Sequence, residues 1–231
     1  TKLVDYIAPI IEVHAIRKVA VTLLDTYVGH RSGGKVLQGQ VQRGDGEEIE
    51  AAIWFCDLRN FTDLSVRLPE KELFELLNDY FQIVSDSVSS ANGEILKFIG
   101  DAVLAVFPTD ENRSKEDACR SALMAAQTAL KAAKQRNSAI KEPQSGALEF
   151  GIGLHFGKAM YGNVGSITRL DFTVIGSAVN LTARLETLTK TEGKELLFSE
   201  YFARAIDKPV AKIGDFQFKG IQGLEAVFQL T

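Results

Sequence analysis

Cysteine and proline are scarce in this sequence, at two and five of 231 residues, and no apolar run approaches the roughly eighteen residues of a membrane span. The two cysteines, Cys56 and Cys119, lie in apolar surroundings without a Cys-x-x-Cys spacing. Neither a disulfide framework nor a structural zinc site therefore has support, and a reducing, cytoplasmic setting is expected. Excess positive charge is also missing: 26 basic against 30 acidic side chains leave a net charge of -4, with no global field to draw in nucleic acid or anionic lipid. No nucleic-acid partner and no membrane contact is expected of this chain, and any polyanion must be held by a local site. No His/Cys cluster and no Gly-x-Ser-x-Gly elbow occurs, which leaves zinc and acyl-transfer chemistry unsupported. Nothing resembles a cleavable signal. The sequence starts at Thr1 rather than Met and is expected to be a fragment, so an anchor or sensor ahead of it stays open.

What is present is an ordinary globular composition, 45% hydrophobic and 24% charged, in a chain long enough for one sizeable domain with an appendage. Ile7, Ile10, Ile11, Ile16, Val19, Leu23 and Tyr27 keep a mostly helical spacing, interrupted early by Pro9, and predict one or two amphipathic helices. Gly29 to Gly46 is rich in turn residues and has no periodic face, which places a linker there.

From Ile49 short β-like runs alternate with longer helical ones. Ile53 to Cys56 predicts a strand stopped by Asp57, and Leu58 to Thr62 a loop. Leu73, Leu77, Tyr80, Val84 and Val88 predict a helix over about residues 70–90. Gly100-Asp101, between the apolar runs Glu94–Ile99 and Ala102–Phe107, is a two-residue hairpin turn with Asp101 at its tip. Ser114, with Asp117 three residues on, opens a second helix that runs out near Arg136, before a polar loop around Pro143 and Gly146. Strands are predicted at Phe150–His155 and Phe172–Ile175, with the glycine-rich Gly157–Gly165 between them. Ser177 is placed as the cap of a helix from Ala178 to about Leu188, and strands at Val210–Ile213 and Ala226–Leu230 close the chain. The order β-α-β-β-α-β predicts an α+β, ferredoxin-like, mainly antiparallel sheet.

Asp57 at a strand end and Asp101 at a hairpin tip converge if their strands are neighbours, and paired carboxylates are what a two-metal site for Mg²⁺ requires. Such aspartates are also ordinary turn residues. Asn60-Phe61-Thr62 leads into a helix, whose free amides favour phosphate. Asn180 and Arg184 share one helix face, either as a solvated polar face or as a charge-neutralising pair. Lys97 and Thr173 sit inside apolar strands and need partners, in the core, at an edge or in a ligand.

Together these segments resemble the catalytic domain of a class III nucleotidyl cyclase. Ile53 to Thr62 resembles the family's first metal segment, Leu96 to Ala102 its second, and Asp171 to Glu186 the segment carrying its Asn and Arg. The resemblance runs from about residue 48 to the end, and Val19 to Gly46 is similar to the transducing element that precedes many such domains. It implies an N-terminal helical segment and transducer linker over residues 1–46 and a catalytic domain over 47–231. It implies conversion of ATP to 3′,5′-cyclic AMP and pyrophosphate, with two Mg²⁺ or Mn²⁺ ions held by Asp57, Asp101 and the Leu58 carbonyl. Phe61 and Thr62 would lend amides to the triphosphate, and Lys219 would contact phosphate. Asn180 would orient the ribose, and Arg184 would stabilise the transition state. Lys97 and Thr173 would read the base; guanylyl members usually carry Glu and Cys there, so adenine is favoured. Thr at this position resembles a subgroup often stimulated by bicarbonate.

Family sites form between two chains, and this chain carries both halves, which implies a head-to-tail homodimer with two equivalent sites. Asn60 replaces the family's usual Gly, and Asn tolerates left-handed backbone. The rival readings are a catalytically silent, nucleotide-binding regulatory domain of the same fold, and a guanylate cyclase. A ferredoxin-like nucleic-acid module would want a basic patch that is missing.

Overall fold

The computed structural model describes residues 2–139 and 146–231, so Pro143 and most of the loop expected around it lie outside the described residues. Two compact units are distinguished, residues 1–46 with 162–173, and residues 47–161 with 174–231.

The first unit opens with α1 (Lys2–Tyr27) and α2 (His30–Leu37). Ile10, Ile11, Ile16, Val19 and Leu23 of α1 are each more than half exposed, so these five apolar side chains are left largely uncovered. The stretch expected to be linker contains α2, which buries Ser32 and Gly33, the latter against Leu24. Beyond α2 the chain is pinned by the buried Asn163, whose Nδ2 donates to the Gln40 carbonyl at 2.9 Å and whose backbone N–H donates to the Asp45 carbonyl at 2.8 Å.

The remaining elements are β1 (Gly46–Leu58), α3 (Phe61–Arg67), α4 (Glu70–Ser90), β2 (Glu94–Ile99), β3 (Ala102–Pro108), α5 (Lys115–Ala139), β4 (Phe150–Gly165), β5 (Leu170–Ile175), α6 (Ser177–Thr191), β6 (Leu196–Ser199), α7 (Glu200–Ala203), β7 (Val210–Phe216) and β8 (Glu225–Leu230). The strands form one sheet in the order β2-β3-β1-β4-β6-β8-β7, with β5 paired to β4. The pairs β1–β3, β2–β3, β6–β8 and β7–β8 are antiparallel, and β4–β6 is parallel. The α+β class is as expected, and β1-α4-β2-β3-α5-β4 is its β-α-β-β-α-β core.

Strand alternation decides what is buried where. Ala52, Trp54, Cys56 and Leu58 of β1 join Val103, Ala105 and Phe107 of β3 in a core covered by Tyr80 and Val84 of α4 and by Ala118, Ala122, Ala126 and Ala129 of α5. The alanines of α5 let that helix lie close to the sheet. On β6 the consecutive Leu197 and Phe198 serve opposite faces: Phe198 enters the main core, and Leu197 packs with Leu181 and Leu185 of α6. Cys56 and Cys119 are free, buried thiols, and burial pushes each up to about 12, so both are neutral packing groups.

Three local expectations are corrected. Phe61 and Thr62 begin α3 rather than ending a loop. The glycine-rich stretch after His155 continues β4 as one 16-residue strand, because Ala159, Tyr161 and Asn163 are buried in alternation with exposed Lys158 and Met160. Ser177 is the first residue of α6, whose cap position is Gly176 without a side-chain hydrogen bond. The short β6 and α7 carry too few residues for a period to show.

α6 reaches the sheet only because β4 has a glycine beneath it. A Cβ on Gly153 would lie 2.5 Å from the backbone nitrogen of Glu186 and overlap the Thr182 carbonyl. Backbone cannot swing aside, so Gly153→Ala is predicted to cost about 1–3 kcal/mol through overpacking. At roughly 2–4 °C per kcal/mol for a chain of this size, thermal denaturation should reveal a clear fall in Tm, and an unchanged Tm would contradict this packing.

Candidate active site

The register of β1 on β3 places Cys56 opposite Val103, which brings the next residue, Asp57, beside the turn that carries Asp101. The two carboxyl groups lie close enough to perturb each other. Burial pushes the Asp57 carboxyl up to about 6, the charge of Asp101 adds to the rise, and the Leu58 N–H and Arg59 oppose it. The convergence that was conditional on strand order is thus present.

After Leu58 the chain turns through Asn60, at φ 57 and ψ 27 in the left-handed region, where Asn is among the few tolerated side chains. That turn starts α3, so the N–H groups of Phe61 and Thr62 belong to a first helical turn and lack intrahelical acceptors. A cavity of about 270 Å³ is lined by Asp57, Leu58, Asn60, Phe61, Thr62, Asp63, Asp101 and Lys190. Five of the expected site residues therefore meet around one polar space.

Lys97, Asn180, Arg184 and Lys219 do not line that cavity. Lys97 is half-buried on β2 just after a register shift at Leu96, the kind of bulge that re-aims a side chain. Asn180 and Arg184 are exposed on α6, while Leu181, Thr182, Leu185, Glu186 and Thr189 of that helix are buried. Lys219 is exposed between β7 and β8. Thr173, in the first unit, is half-buried on β5.

Sequence reasoning missed Asp63, Lys190, Arg59 and Glu186. Lys190 arrives through the last turn of α6, and nothing in its own neighbourhood marks it. Glu186 is buried, and burial pushes its carboxyl up to about 7, with the charge of Asp57 adding and Arg59 opposing. The attraction of Arg59 is therefore outweighed by desolvation. His155 is a packed, neutral group: its Nδ1 lies 2.7 Å from Ser199 Oγ, and burial lowers it to about 4.

Among the described residues no cluster of three or more His, Cys, Asp or Glu forms a closed metal site. Two adjacent carboxylates with a backbone carbonyl instead suit a hard divalent cation that completes its shell with water and substrate phosphates. The donor set fits Mg²⁺ or Mn²⁺.

Comparison with known proteins adds a family. The family model for the adenylate and guanylate cyclase catalytic domain matches residues 46–228. An adenylate cyclase of Anabaena cylindrica is 33% identical over 169 residues, which cover 73% of this chain and 33% of that protein, so this chain spans about a third of that relative's length. The structure of a bacterial light-regulated adenylyl cyclase matches with a TM-score of 0.82 at 29% identity, over 97% of this chain and 64% of that one. The guanylyl cyclase Cya2 matches with a TM-score of 0.68 at 29% identity, over 80% and 93%. Among the described residues no helix is long and apolar enough to cross a membrane.

The raised Asp57 carboxyl has a testable consequence in metal-free protein. Between the unfolded value of 3.8 and the folded value of about 6, the folded state holds a proton that the unfolded state has released. Wild-type stability therefore rises as pH falls through about 6 and is lower above it. Asp57→Asn removes the repelling charge and should raise Tm at pH 8; discounted for half-exposure the gain is about 1 kcal/mol, or roughly 2–4 °C. The advantage should shrink toward pH 5, and a pH-independent difference would contradict the assignment.

Proposed function

Because the chain belongs to the adenylate and guanylate cyclase catalytic domain family, we propose that it is an adenylate cyclase that makes 3′,5′-cyclic AMP and pyrophosphate from ATP, as a second-messenger signal. The observation that carries the reading is the Asp57–Asp101 pair at the ends of adjacent strands, in one cavity with the first turn of α3. Asp57, Asp101 and the Leu58 carbonyl would hold two Mg²⁺ or Mn²⁺ ions. When bound, such ions neutralise the phosphates and make the ribose 3′-oxygen a better nucleophile.

The residues of the chain then do the positioning. In the reaction the ribose 3′-hydroxyl gives up its proton to solvent as its oxygen bonds to the α-phosphorus, and the bond from that phosphorus to the pyrophosphate oxygen breaks. Phe61 and Thr62 donate backbone N–H groups to the triphosphate, and Lys219 donates to phosphate. The Asn180 amide orients the ribose. Arg184 donates to the α-phosphoryl oxygens as charge builds on them, a step in which placement and charge stabilisation supply most of the rate. Lys97 donates to a ring nitrogen of adenine, and the Thr173 hydroxyl accepts from the exocyclic amine. This pair separates the reading from a guanylate cyclase, for which Glu and Cys would be expected.

Asn180 and Arg184 lie on the exposed face of α6 and do not line the carboxylate cavity of their own chain. That supports a head-to-tail homodimer in which each chain lends them to the other's site. The uncovered apolar side chains of α1 support pairing of the N-terminal helices across the same dimer, where they set the relative orientation of the catalytic domains. Thr173 also makes bicarbonate a regulator to test. The two free, buried thiols support a cytoplasmic setting for the domain.

Loss of one transition-state donor costs about 10²- to 10³-fold in rate, so Arg184→Ala should be nearly silent. Asp57→Ala should be silent too. Mixing the two should restore up to about a quarter of wild-type cyclic AMP output, since half of randomly paired dimers are mixed and one of their two sites is intact. No rescue at any protein concentration would overturn the shared site.

A further inference from the structure

Arg59 follows the expected metal-binding residues Asp57 and Leu58, and its guanidinium is tied to α6. Nη2 donates to Thr189 Oγ1 and, at 3.2 Å, to the Lys194 carbonyl; Nη1 lies 3.6 Å from Glu186 Oε1. Glu186 is buried and Arg59 partly so, with 6% and 15% of their side-chain surface exposed. The Thr189 hydroxyl donates to the Glu186 backbone carbonyl, which leaves its lone pairs for Arg59. The backbone N–H of Arg59 donates to the Glu149 carbonyl at 2.7 Å. Room for the guanidinium comes from Gly151, where a Cβ would overlap both Thr189 Oγ1 and Arg59.

A buried ion pair is a poor source of net stability, because taking both charges out of water offsets most of their attraction. Its geometry here is informative instead. One end is the residue that leaves the carboxylate-bearing tip of β1. The other end is α6, two and five residues beyond Arg184, on the buried side of the helix whose exposed side carries Asn180 and Arg184. A rigid fork of donors between them means that neither can shift without the other.

We propose that Arg59 is a positioning residue, and that its link to Glu186 and Thr189 couples the carboxylate end of one site to the helix that supplies Asn180 and Arg184 to the other. This inference rests on the shared-site reading above. It makes the two sites of a dimer mechanically dependent: the fit of ligands at Asp57 and Asp101 in one site sets the placement of Asn180 and Arg184 in its neighbour.

The test uses mixed dimers with a single productive site, one chain carrying Arg184→Ala and supplying the carboxylates, the other carrying Asp57→Ala and supplying α6. Glu186→Gln is placed in either chain. In the carboxylate chain it should raise the half-saturating Mn²⁺ concentration about tenfold, both in turnover and in direct Mn²⁺ binding without nucleotide, as loss of a group that orients metal ligands does. In the α6 chain, whose own carboxylate end is already dead, it should lower kcat about tenfold at saturating Mn²⁺ with half-saturation unchanged, because small misplacements of catalytic groups are costly. Loss confined to the carboxylate chain would overturn the coupling, and loss in neither would overturn the positioning role. If the mixed dimer without Glu186→Gln is inactive, the shared-site reading has failed and the inference falls with it. Should Glu186→Gln not fold at the assay temperature, Thr189→Ala in the same two placements carries the same expectations, since it removes one acceptor from Arg59 and no charge.

Discussion

Two carboxylates pressed together at the end of a sheet repel each other, and much of this structure is arranged to keep them there. Asp57 and Asp101 are neighbours because β1 and β3 are antiparallel with Cys56 opposite Val103, and because a two-residue turn puts Asp101 beside the tip. Alternation sends Ala52, Trp54, Cys56 and Leu58 into the main core and turns Asp57 to the other face. A slip of one residue would turn the carboxylate into that core. The helical layer of α4 and α5 thus fixes the register, and the register fixes the charge pair.

The charge of Arg59 offsets the repulsion only in part, and burial pushes the Asp57 carboxyl up to about 6. Stress of this kind is expected where a site awaits charged ligands. It also organises the surroundings. Arg59, one residue beyond Leu58, is drawn away to Glu186 and Thr189, and α6 is seated close enough for this only because Gly153 and Gly151 leave no side chains in the way. The helix then has two sides with different duties: a buried one that serves its own chain and an exposed one that serves, in the proposed dimer, the other.

The sequence was most readable where chemistry and period agree. The helix of α4, the hairpin around Gly100-Asp101 and the opening of α5 at Ser114, where the Asp117 N–H donates to Ser114 Oγ at 3.1 Å, follow from local rules. Asn60 in a left-handed turn was legible because few side chains tolerate that backbone. The extension of β4 through its glycines was hidden, since glycine count masked the alternation of Ala159, Tyr161 and Asn163. Lys190 and Glu186 were hidden for a different reason. Their place near the carboxylates depends on how α6 packs over β4, a contact between segments more than ninety residues from Asp57 in sequence. Asn180 and Arg184 stood out by their shared helix face and Lys97 and Thr173 by their place inside apolar strands, but their expected roles, and Lys219 altogether, came only through family resemblance.

The central claim is that the carboxylate pair serves cyclisation of an adenine nucleotide. Its most direct test is product analysis of the purified chain given ATP or GTP in parallel, with Mg²⁺ and Mn²⁺ each supplied and Asp101→Ala as control, over a wide range of protein concentration. Cyclic AMP from wild type, none from Asp101→Ala, and little cyclic GMP is the predicted result. Cyclic GMP as the main product would contradict the roles given to Lys97 and Thr173, and cyclic AMP surviving in Asp101→Ala would contradict the site itself.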